Sequence, residues 1–498
     1  MRPTTLFAFA LLLTVSSGCA TVEGFVRRGG GGSVSTAGIA ADLDRIFDDP
    51  ATERGQWGVV VRSLSTGKTV YARNADRMFL PASNIKLLTG AAILETLTPE
   101  YRWTTSISTT GRVVNGVLQG SLVIKGTGDP TFSERFYPGD ARTVFREWAD
   151  SLRSRGIRRV SGGIIAVDSA FAGPIYGQGW MWDDLLTPSS APYSALQFND
   201  NVISVSLYPS SSEMQPGVVV VSPVTQAVRV LNDTRTLGAG NPNAVTLTRD
   251  ENGTGIVVGG QIAIGSPEVR NTVAVSNPVT YFVTVLRETL REVGIDVEGA
   301  ALMLSDLEPY DPLLRNAAPL FIHQSPPLAE VLPQMMKPSQ NQIAELMFMT
   351  VGREIGENPT AEGATEVIND LLRSWSINPA GLRMVDGSGL SRYNLASPAL
   401  LADVLAYMDK SHWREIWTAS LPVSGRDGTL ADRMHSPALI DRIQAKTGTV
   451  NSVRNLSGYL TAPSGERFVF SFLLNGSLAP ASEVDRIVDT ALYRLTLD

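Results

Sequence analysis

A serine and a lysine three positions apart, Ser83 and Lys86, are the first side chains in this sequence that could do chemistry together. The apolar residues that follow predict a buried helix beginning near Pro81, and positions i and i+3 share one face of a helix. Free N–H groups at a helix N-terminus favour negative charge on the serine, and burial makes a lysine easier to deprotonate. The pair is a candidate nucleophile and base. The alternative is a helix cap beside a solvated lysine.

A hydroxyl and a carboxamide form the second candidate element. Ser339 and Asn341 flank Gln340 at the start of a helix predicted over 340–355. Serine and asparagine are common at helix N-termini, so the simpler interpretation of this segment alone is a helix cap.

The third candidate element lies on a strand predicted over 445–450. It consists of Lys446, Thr447, Gly448 and Thr449. A glycine in a strand lets another segment approach the backbone closely. A lysine beside a threonine can hold a carboxylate through charge-assisted hydrogen bonds. The alternative is a strand edge that carries a solvated lysine.

Other catalytic chemistries have little support in the sequence. The three histidines, His323, His412 and His435, lie in no Ser-His-Asp setting, and neither Gly-x-Ser-x-Gly nor His-Glu-x-x-His occurs. We therefore expect no metal and no cofactor. Ser388, between two glycines, is the competing serine, and we interpret 386–392 as a turn that supports the site.

Length and composition limit the classes of protein to which the chain could belong. With 498 residues it is too long for one core, so two or three domains are expected. A hydrophobic share of 43% and a charged share of 18% are typical of globular proteins. The net charge of −7, with no basic block, argues against binding of nucleic acid.

The elements that must position the candidate residues fall at the two ends of the chain. Alternating apolar residues predict a hairpin from 57–64 and 69–72 near the start. Helical periodicity predicts helices over 39–47, 328–336, 340–355, 362–375, 398–408 and 483–495. Late strands are predicted over 445–450, 455–460 and 468–474.

Between these ends, the chain from 99 to 312 has a different texture. Short alternating segments such as 116–124 and 202–207 predict strands, and glycine, proline, serine and asparagine separate them. Helices are predicted only over 141–155 and 278–293. We interpret this part as a β-rich insertion that could itself be divided, with an inner subdomain at about 210–270.

The N-terminus carries the features of an export signal. Arg2 precedes an apolar run over 6–15 that is too short to span a bilayer, and small residues precede Cys19, the only cysteine. Residues 1–18 resemble a bacterial lipoprotein signal with Cys19 as the lipidated residue. Residues 19–38, rich in glycine, are predicted to be a flexible tether.

Taken in order, the three elements resemble a known signature. Ser-x-x-Lys, Ser-x-Asn and Lys-Thr-Gly occur in this order in penicillin-binding proteins and class A β-lactamases, with Gln340 here where aspartate is usual. The long interval between Lys86 and Ser339 resembles the D-alanyl-D-alanine carboxypeptidase/endopeptidase branch of low-molecular-mass penicillin-binding proteins. Further segments similar to that branch are 126–130, 179–184, 195–201, 386–392 and 425–430.

The resemblance covers the chain from residue 39 to the C-terminus and implies its fold class. The implied fold class is an α/β (α+β) catalytic domain like that of serine β-lactamases and penicillin-binding transpeptidases. Residues 39–98 and 313–498 would form this domain. The β-rich insertion, 99–312, would interrupt it.

The same resemblance implies a serine-type carboxypeptidase/endopeptidase that acts on peptidoglycan stem peptides ending in D-Ala-D-Ala. Ser83 would attack the penultimate D-alanine and form an acyl-enzyme, and Lys86 would take its proton. Ser339 would relay a proton to the leaving amine, and Asn341 would hold Lys86 and the substrate amide.

The substrate-binding roles are implied in the same way. Lys446 and Thr447 would bind the terminal carboxylate beside Gly448, and the N–H groups of Ser83 and Thr449 would form an oxyanion hole. β-Lactams would be covalent inhibitors. The enzyme would act in the cell envelope, on the periplasmic side, attached to a membrane only through a lipid on Cys19.

Two other functions remain open at this point. A β-lactamase or esterase could use the same residues, and differs in how fast the acyl-enzyme is hydrolysed. A non-catalytic lipoprotein could instead bind peptidoglycan through the insertion. The intact motifs argue against the second possibility.

Overall fold

The computed structural model describes residues 36–307 and 317–497, and the predicted signal, Cys19 and most of the tether lie outside these ranges. The helices are α1 (Thr36–Phe47), α2 (Lys86–Leu97), α3 (Thr143–Ser154), α4 (Pro278–Glu292), α5 (Leu328–Met336), α6 (Asn341–Glu354), α7 (Ala361–Ser374), α8 (Pro398–Met408), α9 (Arg414–Ser420) and α10 (Ala481–Leu495). The strands are β1 (Gln56–Ser63), β2 (Thr69–Arg73), β3 (Thr104–Thr109), β4 (Arg112–Val114), β5 (Val117–Gln119), β6 (Leu122–Lys125), β7 (Arg159–Val160), β8 (Ile164–Val167), β9 (Val202–Tyr208), β10 (Val218–Ser222), β11 (Val230–Leu237), β12 (Ala244–Arg249), β13 (Ile256–Ala263), β14 (Val269–Ala274), β15 (Asp296–Val297), β16 (Ala301–Met303), β17 (Ala318–Gln324), β18 (Leu382–Arg383), β19 (Leu395–Ala396), β20 (Ile443–Val450), β21 (Val453–Thr461) and β22 (Arg467–Asn475).

The two ends of the chain meet in one five-stranded antiparallel sheet with the order β2-β1-β22-β21-β20. Strand β1 pairs with β22 along its full length, from Gln56 opposite Asn475 to Ser63 opposite Phe468. Both faces of this sheet are covered, which explains why its central strands are apolar at consecutive positions instead of alternating ones. The pairing brings the start and the end of the sequence into one domain.

Helices pack on both faces of this sheet. On one face, α1 and α10 cover a core that includes Phe47, Trp57 and Phe472. On the other face, α2 and α8 join the helices α5, α6 and α7 in a second core. Helix α2 lies deep in that core, and at Gly90 it packs closely against the side chains of Leu332, Met335 and Met336. The turn that carries Ser83 therefore leads directly into a buried helix.

The insertion is built from several small sheets around its own core. One sheet has the order β16-β8-β6-β3-β17, and a second has the order β15-β7-β5-β4. Two three-stranded sheets, β10-β9-β14 and β11-β13-β12, complete it. Helices α3 and α4 fill the core with large side chains that include Phe145, Trp148 and Phe282. The segment 210–270 that we singled out contains β10 to β13.

Most predicted helices and strands are confirmed, with ends that differ by a few residues. The strand predicted over 116–124 is wrong as a single element, because β5 and β6 are separated at Gly120 and Ser121 and pair in different sheets. Strand β17 lies after position 313, yet it pairs with β3 of the insertion. Residues 318–324 therefore lie with the insertion, where we had assigned them to the catalytic domain.

None of the helices in the described ranges is long and apolar enough to cross a bilayer.

Candidate active site

The predicted serine–lysine pair lies at the start of α2. Ser83 is in a short 3-10 turn, Ala82–Ile85, and Lys86 is the first residue of the α-helix that follows. The Lys86 Nζ lies 3.0 Å from the Ser83 Oγ. Ser83 is partly exposed, whereas Lys86 is fully buried. The predicted contact is present, and the alternative of a solvated Lys86 is wrong.

The Lys86 amine has two further acceptors. It donates to the Asn341 Oδ1 at 2.6 Å and to the backbone carbonyl of Ser388 at 2.7 Å. Burial lowers the pKa of Lys86 to about 7, although the negative charges of Glu345 and Asp386 oppose this effect. A lysine in this state can lose and regain a proton near neutral pH.

The second motif is arranged differently from a simple cap. Gln340 is the residue that caps α6, with its side-chain oxygen accepting from the Ile343 N–H at 2.8 Å. Asn341 is therefore not needed as the cap. It bridges Lys86 and the insertion instead, because its Oδ1 accepts from the Lys86 amine and its Nδ2 donates to the Ser189 carbonyl at 2.7 Å. Ser339 has a φ of 62°, a left-handed conformation that is uncommon for serine and frequent at functional sites. Glutamine at the middle position thus serves a structural purpose.

The third motif lies on β20, the edge strand beside the serine turn. A Cβ at Gly448 would lie 2.7 Å from the Pro81 carbonyl oxygen, so the predicted close approach is present and requires glycine. Lys446 is fully buried and its Nζ donates to the Thr447 carbonyl at 2.9 Å, which makes the interpretation of a solvated lysine wrong. Burial, together with the charge of Lys86, holds the pKa of Lys446 well below its usual value.

Thr447 belongs to a small polar bridge that the sequence did not reveal. Its hydroxyl donates to the Thr429 hydroxyl at 2.8 Å. Thr429 is held in place by Lys337, whose carbonyl accepts from the Thr429 N–H at 3.0 Å and whose Nζ contacts the Asp427 carboxylate at 2.6 Å. This bridge joins the segment before Ser339 to the strand that carries Thr447.

The turn 386–392 packs against the Lys86 side of the site. Asp386 accepts from the N–H groups of Gly389 at 2.8 Å and Ser391 at 2.7 Å, and from the Asn394 side chain at 2.6 Å. Ser388, the competing serine, is fully buried and contributes its backbone carbonyl to Lys86. The competing serine therefore lies beside the Ser83 pair and holds its lysine.

Sequence reasoning missed two residues that contact this turn. Glu345 accepts from the N–H groups of Gly387 and Ser388, and the indole N–H of Trp180 donates to Asp386 at 2.9 Å. One signal for Glu345 was available, since it stands four positions after Asn341 and therefore on the same face of the helix. No signal of this kind exists for Trp180, which comes from the insertion.

Residues of the catalytic region and of the insertion line a pocket of about 240 Å³ at Ser83. The insertion contributes one wall. The lining residues are Ser83, Met181, Asp184, Thr187, Ser189, Asn341, Gly389, Leu390, Arg392, Thr449, Val450 and Asn451. Of the predicted site residues, Ser83, Asn341 and Thr449 border this space, whereas Lys86 lies beneath it and Ser339, Lys446, Thr447 and Gly448 are not among the lining residues.

The histidines take no part in this arrangement. His323 is in the insertion on β17, and His412 and His435 are exposed and do not line the pocket. Within residues 36–307 and 317–497, no group of three or more histidine, cysteine, aspartate or glutamate side chains could hold a metal ion.

Comparison with known proteins agrees with this geometry. Residues 39–494 match the model of the D-Ala-D-Ala carboxypeptidase 3 (S13) family. The chain is 33% identical over 457 residues to a D-alanyl-D-alanine carboxypeptidase of Actinomadura sp. (strain R39), which covers 89% of this chain and 82% of the relative. It is 28% identical to the D-alanyl-D-alanine carboxypeptidase DacB of Haemophilus influenzae, over 88% of this chain and 91% of that relative.

The fold is shared as well. The crystal structure of penicillin binding protein 4 (dacB) from Haemophilus influenzae superimposes with a TM-score of 0.78 at 25% identity, over 92% of this chain and 98% of that one. The predicted fold class is therefore confirmed. The chain belongs to the D-Ala-D-Ala carboxypeptidase 3 (S13) family and is, as its motifs predicted, a serine-type D-Ala-D-Ala carboxypeptidase.

Proposed function

We propose that this enzyme removes the terminal D-alanine of peptidoglycan stem peptides, and cleaves the cross-links between them, through an acyl-enzyme on Ser83. The observation that carries the assignment of Ser83 is its contact with the fully buried Lys86 amine, 3.0 Å away. The pocket extends past Ser83 to Met181 and Asp184, so side chains of the insertion lie where the substrate would bind.

In the acylation step, Lys86 is the base. As a neutral amine it donates to Asn341 and Ser388 and accepts the Ser83 hydroxyl proton. The Ser83 Oγ then bonds the carbonyl carbon of the penultimate D-alanine while its proton moves to the Lys86 Nζ. Since the pKa of Lys86 is lowered to about 7, little energy is needed to hold that amine neutral near pH 7.

Collapse of the tetrahedral intermediate breaks the C–N bond and releases D-alanine. The leaving amine needs a proton, which passes from Lys86 through the Ser339 hydroxyl. That hydroxyl makes no hydrogen bond to another residue of the described ranges, which supports this assignment. Water then attacks the ester carbonyl while Lys86 accepts its proton, and Lys86 returns that proton to the Ser83 Oγ as the ester bond breaks.

Backbone and side-chain donors would stabilise the two negative charges of the substrate. The N–H groups of Ser83 and Thr449 border the pocket and would bind the oxyanion, a role whose loss reduces turnover by about two to three orders of magnitude. Lys446 and Thr447 would bind the terminal carboxylate. A carboxylate beside Lys446 would raise the low pKa of its amine, so binding and protonation would support each other.

A serine variant tests this assignment. We expect Ser83→Ala to lose hydrolysis of a D-Ala-D-Ala peptide. In the wild type, mass spectrometry should find labelled penicillin on the peptide that contains Ser83. Ser388→Ala is the matched control and should still be acylated. Wild-type activity in Ser83→Ala, or label on Ser388, would contradict the proposal. Release of the label within seconds would favour a β-lactamase instead.

The cellular location is a separate proposal. The apolar run before Cys19 supports export to the periplasmic side of the envelope, with a lipid on Cys19 as the only membrane attachment. Labelled palmitate should be incorporated into the wild type and not into Cys19→Ala. Equal incorporation in both proteins, or in neither, would overturn the lipid anchor.

A further inference from the structure

Glu345 is a buried carboxylate that the acyl-transfer steps do not use. It lies one turn after Asn341 on α6 and is 1% exposed. Its Oε2 accepts from the Gly387 N–H at 3.0 Å, and its Oε1 accepts from the Ser388 N–H at 2.8 Å. Both oxygens are therefore committed to the turn that passes under Lys86.

The same turn carries the carbonyl that the Lys86 amine contacts. The Ser388 oxygen lies 2.7 Å from Lys86 Nζ. The preceding carbonyl, that of Gly387, accepts from the Thr89 hydroxyl at 2.7 Å. The peptide groups of this turn are thus held by Glu345 through their N–H groups and by Thr89 through a carbonyl, and their orientation depends on both.

We propose that Glu345 is a positioning residue: by holding the Gly387 and Ser388 N–H groups, it keeps the Ser388 carbonyl against the Lys86 amine. This inference rests on the proposed function, because it assumes that Lys86 is the base. Glutamine could not replace glutamate here, since its amide N–H₂ would face a backbone N–H and one of the two hydrogen bonds would be lost.

Several charges surround this position. The titratable groups that interact electrostatically with Lys86 or Glu345 are Asp386 on the turn, Lys446 on β20 and Tyr193 in the insertion. Burial and the charge of Asp386 raise the pKa of Glu345 to about 8, although the N–H donors favour its ionised form. The negative charge of Glu345 opposes the lowering of the Lys86 pKa by burial. Because Glu345 is largely protonated in the pH range where Lys86 titrates, its main effect on Lys86 is through the Ser388 acceptor, whose displacement should lower the Lys86 pKa further.

The test is the pH profile of kcat/KM for Glu345→Gln with a D-Ala-D-Ala peptide. We expect the acidic limb to move by less than about one unit to lower pH, because the Ser388 carbonyl that favours the protonated Lys86 amine is less well placed. The plateau should fall about tenfold, because the amine is less well placed. A purely structural role would lower thermal stability and leave the limb where it is, so an unmoved limb would overturn the inference.

Glu95→Gln is the matched control. Glu95 lies at the other end of α2 and bonds Tyr407 and Ser411, so its loss should leave the acidic limb unchanged. An equal shift in this control would also overturn the inference.

If Glu345→Gln does not fold, Thr89→Val tests the same turn from its other side. Because this change loosens the Gly387 peptide and leaves both Glu345 hydrogen bonds in place, we expect a smaller shift in the same direction. No shift in Thr89→Val would overturn the inference. The parent proposal fails separately, since it falls only if Ser83→Ala stays active.

Discussion

Two buried clusters of titratable groups, one in the catalytic region and one in the insertion, differ in how their polar atoms are hydrogen-bonded. In the catalytic region, Lys86 lies above the carboxylates of Glu345 and Asp386, whose oxygens accept hydrogen bonds from the surrounding turn. In the insertion, Asp129 and His323 face each other at 3.8 Å. Among the described residues, the Asp129 Oδ2 and the His323 Nε2 have no hydrogen-bond partner.

The two clusters can be compared by the pKa of each buried group and by the hydrogen bonds that support its charged form. Burial raises the pKa of Asp129 to about 7, although Thr131 donates two hydrogen bonds to its other oxygen. Burial also lowers the pKa of His323 to about 4. Both groups are therefore driven towards their neutral forms at neutral pH. In the catalytic region burial likewise drives Lys86 and Glu345 towards their neutral forms, but there backbone N–H groups satisfy both Glu345 oxygens.

The largest expected effect comes from Lys86, the proposed base. Lys86→Met keeps the volume and removes the amine, so kcat/KM for a D-Ala-D-Ala peptide should fall by about 10³ or more. Stability should be maintained or increase, since a buried amine is replaced by an apolar group. Lys68→Met, at an exposed turn, is the control and should be fully active. More than a tenth of wild-type acylation in Lys86→Met would show that another group is the base.

The next effect compares the two aspartates directly. Asp386→Ala leaves the N–H groups of Gly389 and Ser391 buried without an acceptor, and should lower the free energy of unfolding by about 3–5 kcal/mol. Asp129→Ala should lower it by less, about 1–2 kcal/mol at pH 7, because only Thr131 donates to Oδ1 and no described residue bonds Oδ2. Urea unfolding measures both. Equal losses would mean that the two clusters are not different in design.

The pH dependence of stability separates the two members of the insertion pair. Between about pH 4 and 7 the native state retains the Asp129 proton that the unfolded chain releases, so this residue makes stability fall as pH rises. His323 acts in the opposite direction between about pH 4 and 6.5, because only the unfolded chain binds its proton. In the wild type the two effects largely cancel.

Single variants should reveal the cancelled slopes. We expect the stability of Asp129→Asn to rise by about 1–3 kcal/mol from pH 4.5 to 6.5, and that of His323→Asn to fall by a similar amount. Urea unfolding at three pH values measures this. Parallel profiles in the two variants would show that the pair does not titrate as described.

How much of the site the sequence predicted depends on the kind of contact. Residue types at fixed spacing predicted the contact between Ser83 and Lys86, and a glycine in a strand predicted the close approach at Gly448. Burial of Lys446 could not be predicted, because it depends on how β20 packs against the serine turn. The Glu345 contacts were missed for the same reason, since the turn it holds is distant in sequence.

For the fold, too, local features could be predicted from the sequence and long-range contacts could not. Helix α4 was predicted almost to the residue, because periodicity is a local property. The single strand predicted over 116–124 was wrong, since Gly120 separates two strands that belong to different sheets. The pairing of β17 with β3 depends on contacts more than 200 residues apart, as between His323 and Thr105, and no local pattern encodes it.

The smallest expected effect concerns the link between the two regions. Trp180→Phe keeps ring contacts with Tyr193 and removes the indole N–H that donates to Asp386 at 2.9 Å, so unfolding free energy should fall by about 1 kcal/mol. Activity should fall only a few-fold, because Asp386 keeps its backbone donors. Trp182→Phe, two positions away and 82% exposed, should change neither quantity. If both variants behave alike, the insertion does not help hold the carboxylate beneath the base.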